Sequence, residues 1–154
     1  MPEFEGALRN FAGFIQEYDL GFVEPNQCEI GYINQIPVDS DQSPYRAMSE
    51  LFGSLLPYPD VEELGQPDDS NLLIRYIIKD DDGRPIGRLI VSAEPARLLT
   101  GQMIIQLSLT ARGAPDPADI SGAVAFLHAG RRHIVRTFTA VTSPLLQTSW
   151  GRKQ

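Results

Sequence analysis

The chain has a single cysteine among its 154 residues. Cys28 alone cannot close an internal disulfide, so nothing marks the oxidised framework of small secreted domains. Long hydrophobic runs are missing as well, since none approaches the roughly 20 apolar residues that span a bilayer. The N-terminus, Met1-Pro2-Glu3-Phe4-Glu5, lacks the basic and apolar stretches of a secretory leader. Positive charge is scarce: 13 Lys and Arg stand against 20 Asp and Glu, for a net charge of −7. Such a surface repels a phosphate backbone and disfavours non-specific nucleic-acid binding. These absences lead us to expect a cytoplasmic protein with no nucleic-acid and no membrane partner.

What is present suits one folded domain over residues 1–154. A hydrophobic content of 42% can build a continuous core, and 21% charged residues argues against disorder. Phe4, Leu8, Phe11 and Ile15 recur at helical spacing with Phe14 and Tyr18 beside them, and Leu20-Gly21 supplies a stop. Gly6 and Gly13 each weaken that helix by roughly 1 kcal/mol against alanine, so its order depends on packing. From Gln27 to Ile36 the pattern alternates. Cys28, Ile30, Tyr32, Asn34 and Ile36 point one way, and Pro37 ends the strand by removing a donor.

Ser43-Pro44 reads as an N-cap followed by a first-turn proline, with Met48, Leu51, Phe52 and Leu55 on one face, which predicts a helix over 44–56. A proline-rich acidic loop runs from Pro57 to Asp69, and its composition suggests mobility. Three strands follow: Asn71 to Lys79, Pro85 to Ser92 and Gly101 to Ala111. Their short connections predict an antiparallel meander. Asp116 as cap, Pro117 at the first helical position and Asp119 in the first turn open a final helix from Asp116 to Val141. Its stripe is Ile120, Val124, Leu127, Ile134, Phe138 and Val141, with Arg131 in the one polar slot, and Ser143-Pro144 ends it. The fold expected is α+β: a four-stranded antiparallel sheet, in chain order α-β-α-β-β-β-α, packed on a long C-terminal helix.

Candidate chemistry is sparse. Asp80-Asp81-Asp82-Gly83 resembles a calcium loop only at its start, because Val91 stands where the bidentate Glu is needed; a hairpin turn explains the run better. His128 and His133 lie five apart, about 140° around a helix, and cannot share a metal as an i, i+4 pair would. Cys28 has no activating neighbour in sequence and reads as a small buried apolar group. No nucleophile elbow, P-loop or dinucleotide fingerprint occurs. We therefore expect no catalytic residue, no metal and no cofactor. Arg131, Arg132, Arg136, Arg152 and Lys153 concentrate positive charge near the C-terminus, and the acidic loop is their simplest counterpart. Arg131 is the sharper case, because a guanidinium inside an apolar stripe needs a partner if it is buried.

Two segments carry a resemblance. Gln27 to Ile36, with the pattern Glu-x-x-Tyr-Ile-Asn-x-Ile, and the ending Gly130-Arg131, Ile134-Val135-Arg136, Phe138-Thr139, Thr142 and Trp150-Gly151-Arg152 resemble a sporadically distributed bacterial family of uncharacterised proteins. The matches bracket nearly the whole chain. Family members are usually longer, with a further N-terminal half, so the resemblance is to the family's C-terminal half. It implies a bacterial cytosolic protein and brings no activity, cofactor or catalytic residue.

A sheet built to meet a further half would expose an edge or an apolar face without it. The leading expectation is thus a non-enzymatic binding or interaction module, forming a homo-oligomer or pairing with a separately encoded protein. The alternative is a small-ligand-binding domain with an apolar pocket between sheet and C-terminal helix. In either case Tyr32, Asn34 and Arg131 are the candidate ligand or partner residues. For Asn34, satisfying backbone groups at a strand end is an equally good reading. An enzyme whose site is assembled only by folding stands third.

Overall fold

The computed structural model describes residues 1–39, 41–53, 55, 63–65 and 67–150. The elements are α1 (Pro2–Glu17), β1 (Cys28–Pro37), α2 (Pro44–Phe52), β2 (Leu72–Lys79), β3 (Pro85–Arg97), β4 (Met103–Gly113), α3 (Ile120–Val141) and α4 (Pro144–Ser149). The four strands form one antiparallel sheet in the order β1-β4-β3-β2, and α3 packs on it, so the expected α+β class holds. Most of the acidic loop predicted between Pro57 and Asp69 falls outside the described residues.

Turn chemistry sets the meander. Leu98 N–H donates to the Gln102 carbonyl and Gly101 N–H to that of Leu98, both at 2.9 Å. Asp80 and Gly83 repeat this pattern with Arg84, at 3.0 Å. Each turn closes on a glycine in the left-handed region, Gly101 at φ 85° and Gly83 at φ 80°, where a side chain would be strained. β1 then pairs with β4: Val38 N–H donates to the Met103 carbonyl at 3.1 Å, and Glu29 meets Arg112.

The chain divides into two compact units. The first holds Met1–Ile30, Tyr76–Leu89 and Ala111–His133. Here the early turns of α3 approach the strands closely at Gly130, which is buried. A Cβ there would stand 2.9 Å from both the Ala111 Cβ and the Ile30 Cγ2. Glycine is what lets helix and sheet come this near. The second unit holds Gly31–Arg75, Ile90–Thr110 and Ile134–Gln154. Its core contains Met48, Phe52, Val91, Ile105, Leu107, Leu109 and Ile134, all without solvent access. α2 starts as its sequence signals predict, with Ser43 Oγ accepting the Arg46 N–H at 3.2 Å and Pro44 in the first turn.

Several boundaries differ from the sequence expectation, most of them by two residues or more. β3 runs on to Arg97, and the next strand occupies Met103–Gly113. α2 stops at Phe52. The final helix starts at Ile120, and Asp119 rather than Asp116 caps it. Asp119 Oδ1 accepts the Gly122 N–H at 2.8 Å and the Ser121 hydroxyl at 2.7 Å. Two donors converge on that carboxylate, whereas Pro117 sits in the preceding turn, its carbonyl accepting from Asp119 N–H. Ser143-Pro144 does end the long helix, yet Ser143 also caps α4, accepting the Leu146 N–H at 3.3 Å.

The buried face of α3 follows Ala123, Phe126, Leu127, Gly130, Ile134 and Val141. The stripe therefore passes through Gly130, and Arg131 is exposed beside it. A periodicity of hydrophobic residues alone cannot see this route, because glycine does not register as apolar.

Candidate functional site

Tyr32 and Asn34 lie two residues apart on β1 and so share a face of that strand. Asn34 is half-buried, and its Nδ2 donates to the Leu107 backbone carbonyl on β4 at 3.4 Å. That contact ties the amide to the sheet itself. Tyr32 is about one-third exposed, at 37%. Arg131 belongs to the other compact unit and is exposed. The first two residues are thus neighbours on one strand, while Arg131 lies on α3.

Burial or structural partners account for the perturbed titratable groups. Burial pushes the Cys28 thiol up from its ordinary value, which disfavours the thiolate a nucleophile needs. Asp80 is held below the usual carboxylate range, chiefly by the Arg84 backbone N–H and then by its side chain. The Asp run therefore closes its own hairpin turn, with Arg84 also 3.1 Å from Asp82. His128 Nε2 lies 2.9 Å from Glu5 Oε1, joining α3 to α1 within the first unit. Among the described residues no three His, Cys, Asp or Glu side chains are grouped to hold a metal. Phe138 stacks on Trp150 with ring centroids 5.5 Å apart, so two residues of the family-like ending have a packing role.

Two clefts are formed by described residues. In the first unit an open groove of 550 Å³ is lined by Ala12, Ile15 and Gln16 of α1, by Phe22 and Val23, and by the start of α3 at Asp119 and Ile120. In the second, a more polar hollow of 390 Å³ lies among Asp39, Gln42, Arg97 and Gln102. Neither contains Tyr32, Asn34 or Arg131.

The most unusual surface is α1. None of its 16 residues is buried, although its sequence is strongly apolar on one side. At about 100° per residue the apolar arc from Phe14 round to Ala12 spans roughly 160°, more than one neighbouring element covers. Leu8, Ala12 and Ile15 on one flank are half-buried. Phe4, Phe11, Phe14 and Tyr18 on the other flank are about half exposed or more, with Tyr18 at 61%. Phe14 and Tyr18 pack on each other, centroids 4.7 Å apart. Past the helix Leu20 and Phe22 are exposed as well, Phe22 at 95%, and Phe22 lies toward the groove on the Ala12 and Ile15 flank. Sequence periodicity identified the helix but merged the two flanks into one stripe. The signal that separates them is the spacing of Phe4, Ala7, Phe11, Phe14 and Tyr18, which is 3-4-3-4.

Among the described residues no helix is long and apolar enough to cross a membrane. Comparisons with protein-family models, with curated proteins and with solved structures found no match.

Proposed function

We propose that the chain is a non-enzymatic interaction module of a bacterial cytosolic protein, which self-associates or pairs with a separately encoded partner through α1. The observation that supports this is the exposed aromatic flank of α1. Isolated surface hydrophobics are ordinary, but a contiguous patch of this size marks an interaction surface. Four aromatic residues on one helix flank form such a patch. The β1 and C-terminal residues that resemble the bacterial family support the cytosolic, bacterial part of the reading. Tyr32 and Arg131, both exposed, are the secondary candidates, each within its own unit.

The test is a paired substitution of Phe11→Ser and Phe14→Ser on the exposed flank. The variant is expected to keep the wild-type circular-dichroism spectrum and to lose every assembly, homomeric or heteromeric, that the wild type forms on size-exclusion chromatography or on co-purification. Assemblies that survive both substitutions would refute the assignment to α1.

A further inference from the structure

We propose that the partner of α1 is a second copy of this chain, and that the two aromatic seams pack antiparallel about a twofold axis. This rests on reading the chain as an interaction module and names its partner. Three observations lead there.

The spacing suits a helix as the other half of the contact. Residues at 4, 7, 11, 14 and 18 follow the 3-4 alternation of a coiled-coil seam, where side chains of one helix enter gaps on another. The seam is also self-complementary. Ala7 is its one small residue, and it leaves a gap that an aromatic ring of an antiparallel copy fills. A twofold interface requires one patch that fits itself in this way. Antiparallel packing additionally opposes the two helix dipoles.

The area suits a weak, reversible dimer. Phe4, Phe11, Phe14 and Tyr18 are about half exposed or more. At about 150–250 Å² for each large side chain, this flank offers roughly 400 Å² per chain. A stable dimer of standard size buries about 800 Å² per partner, so the seam supplies about half of that and sets a dimer that dissociates on dilution.

Charge selects against other occupants. The seam itself carries none, and the rest of α1 bears Glu3, Glu5 and Glu17 with Arg9 as its single cation. An anionic membrane surface prefers helices with Lys and Arg on the polar face, the opposite of this one. Two chains of net charge −7 repel at long range, and added salt screens that repulsion. A dimer held by the apolar seam therefore tightens as salt rises, whereas a complex with a basic partner weakens.

The experiment is sedimentation equilibrium of the whole chain over a concentration series, at low and high salt. The expected result is a species of twice 17.0 kDa whose dissociation constant falls with salt. Phe11→Glu, at an exposed position, should weaken it at least tenfold while leaving the circular-dichroism spectrum unchanged. Spin labels on a Glu3→Cys variant should lie roughly 24 Å apart in the antiparallel dimer, from 1.5 Å rise per residue about a centre near Phe11. Labels about 10 Å apart would overturn the antiparallel arrangement. A wild-type monomer at high concentration overturns the dimer. If that monomer still captures another protein and Phe11→Glu releases it, the interaction reading survives without the dimer. If Phe11→Glu changes neither property, both fall.

Discussion

Gly130→Ala tests the claim that the route of α3 over the sheet is set by one missing side chain. Two effects oppose each other. Alanine in a helix interior is favoured over glycine by about 1 kcal/mol. Against that, the new methyl would lie 2.9 Å from the Ala111 Cβ and 2.9 Å from the Ile30 Cγ2. Forcing an extra carbon into a tight interior costs typically about 1–3 kcal/mol. Ala111 is fixed on a central strand and has no rotamer with which to yield, so overpacking wins. The net loss should be about 1 kcal/mol. With a urea m-value of about 2 kcal/mol per molar, the midpoint should fall by about 0.5 M with m unchanged. A double-mutant cycle with Ala111→Gly sharpens the test. Removing one of the two clashing methyls should recover part of the loss, giving a favourable coupling of at least ~0.5 kcal/mol. Gly13→Ala serves as the contrast, since nothing lies within 4 Å of its added Cβ. There the helix term acts alone and the helical signal should rise. If Gly130→Ala were as stable as the wild type, or more so, the close approach would not be what positions this helix.

Two further outcomes follow. Asp119 is held below the usual carboxylate range, first by the Gly122 backbone N–H and then by the Ser121 hydroxyl. Its folded pKa lies beneath its unfolded one, so its contribution is present above the unfolded value and is lost as pH falls through the folded one. Thermal melts should therefore show Asp119→Asn less stable than the wild type near neutrality, with the gap closing in acid; an undiminished gap would refute the linkage. Arg131→Ala should change folding stability by less than about 0.5 kcal/mol, because the residue is exposed, and a larger loss in denaturant titration would make it structural.

The parts of the fold legible in the sequence are those fixed by local chemistry. Ser43-Pro44 opened a helix, and the turn ending at Gly83 with the short connections defined a meander, because capping and positive φ act over three or four residues, whereas Gly101 read as a strand residue and turns out to close the second turn. The start of α3 was misread because Asp116-Pro117 and Asp119 offer the same type of signal three residues apart. Only the converging Gly122 and Ser121 donors choose between them. Asn34 was legible as a special polar residue on a strand, and its contact with the Leu107 carbonyl gives it a role within the sheet. Pairing of β1 with β4 joins segments some 70 residues apart in sequence, and no local signal encodes that.

The comparison of α1 with α3 carries the functional argument furthest. Both helices show hydrophobic periodicity and both carry small residues, yet only in α3 are these buried, Ala123 and Gly130 among Phe126, Leu127 and Ile134. Small residues let a helix sink toward a sheet until its large side chains are covered. The large side chains of α1 span too wide an arc for any one neighbour. Its own chain takes the flank of Leu8, Ala12 and Ile15 and adds the Glu5–His128 contact at 2.9 Å. The flank of Phe4, Phe11, Phe14 and Tyr18 is left to solvent. A helix with two apolar flanks and one internal neighbour is built for two contacts. Gly6 and Gly13 make the same point from the energetic side, since each lowers helix stability by roughly 1 kcal/mol with no close contact to offset it. Covering the second flank would stabilise the helix, so the proposed assembly would couple to the order of α1 through the same residues.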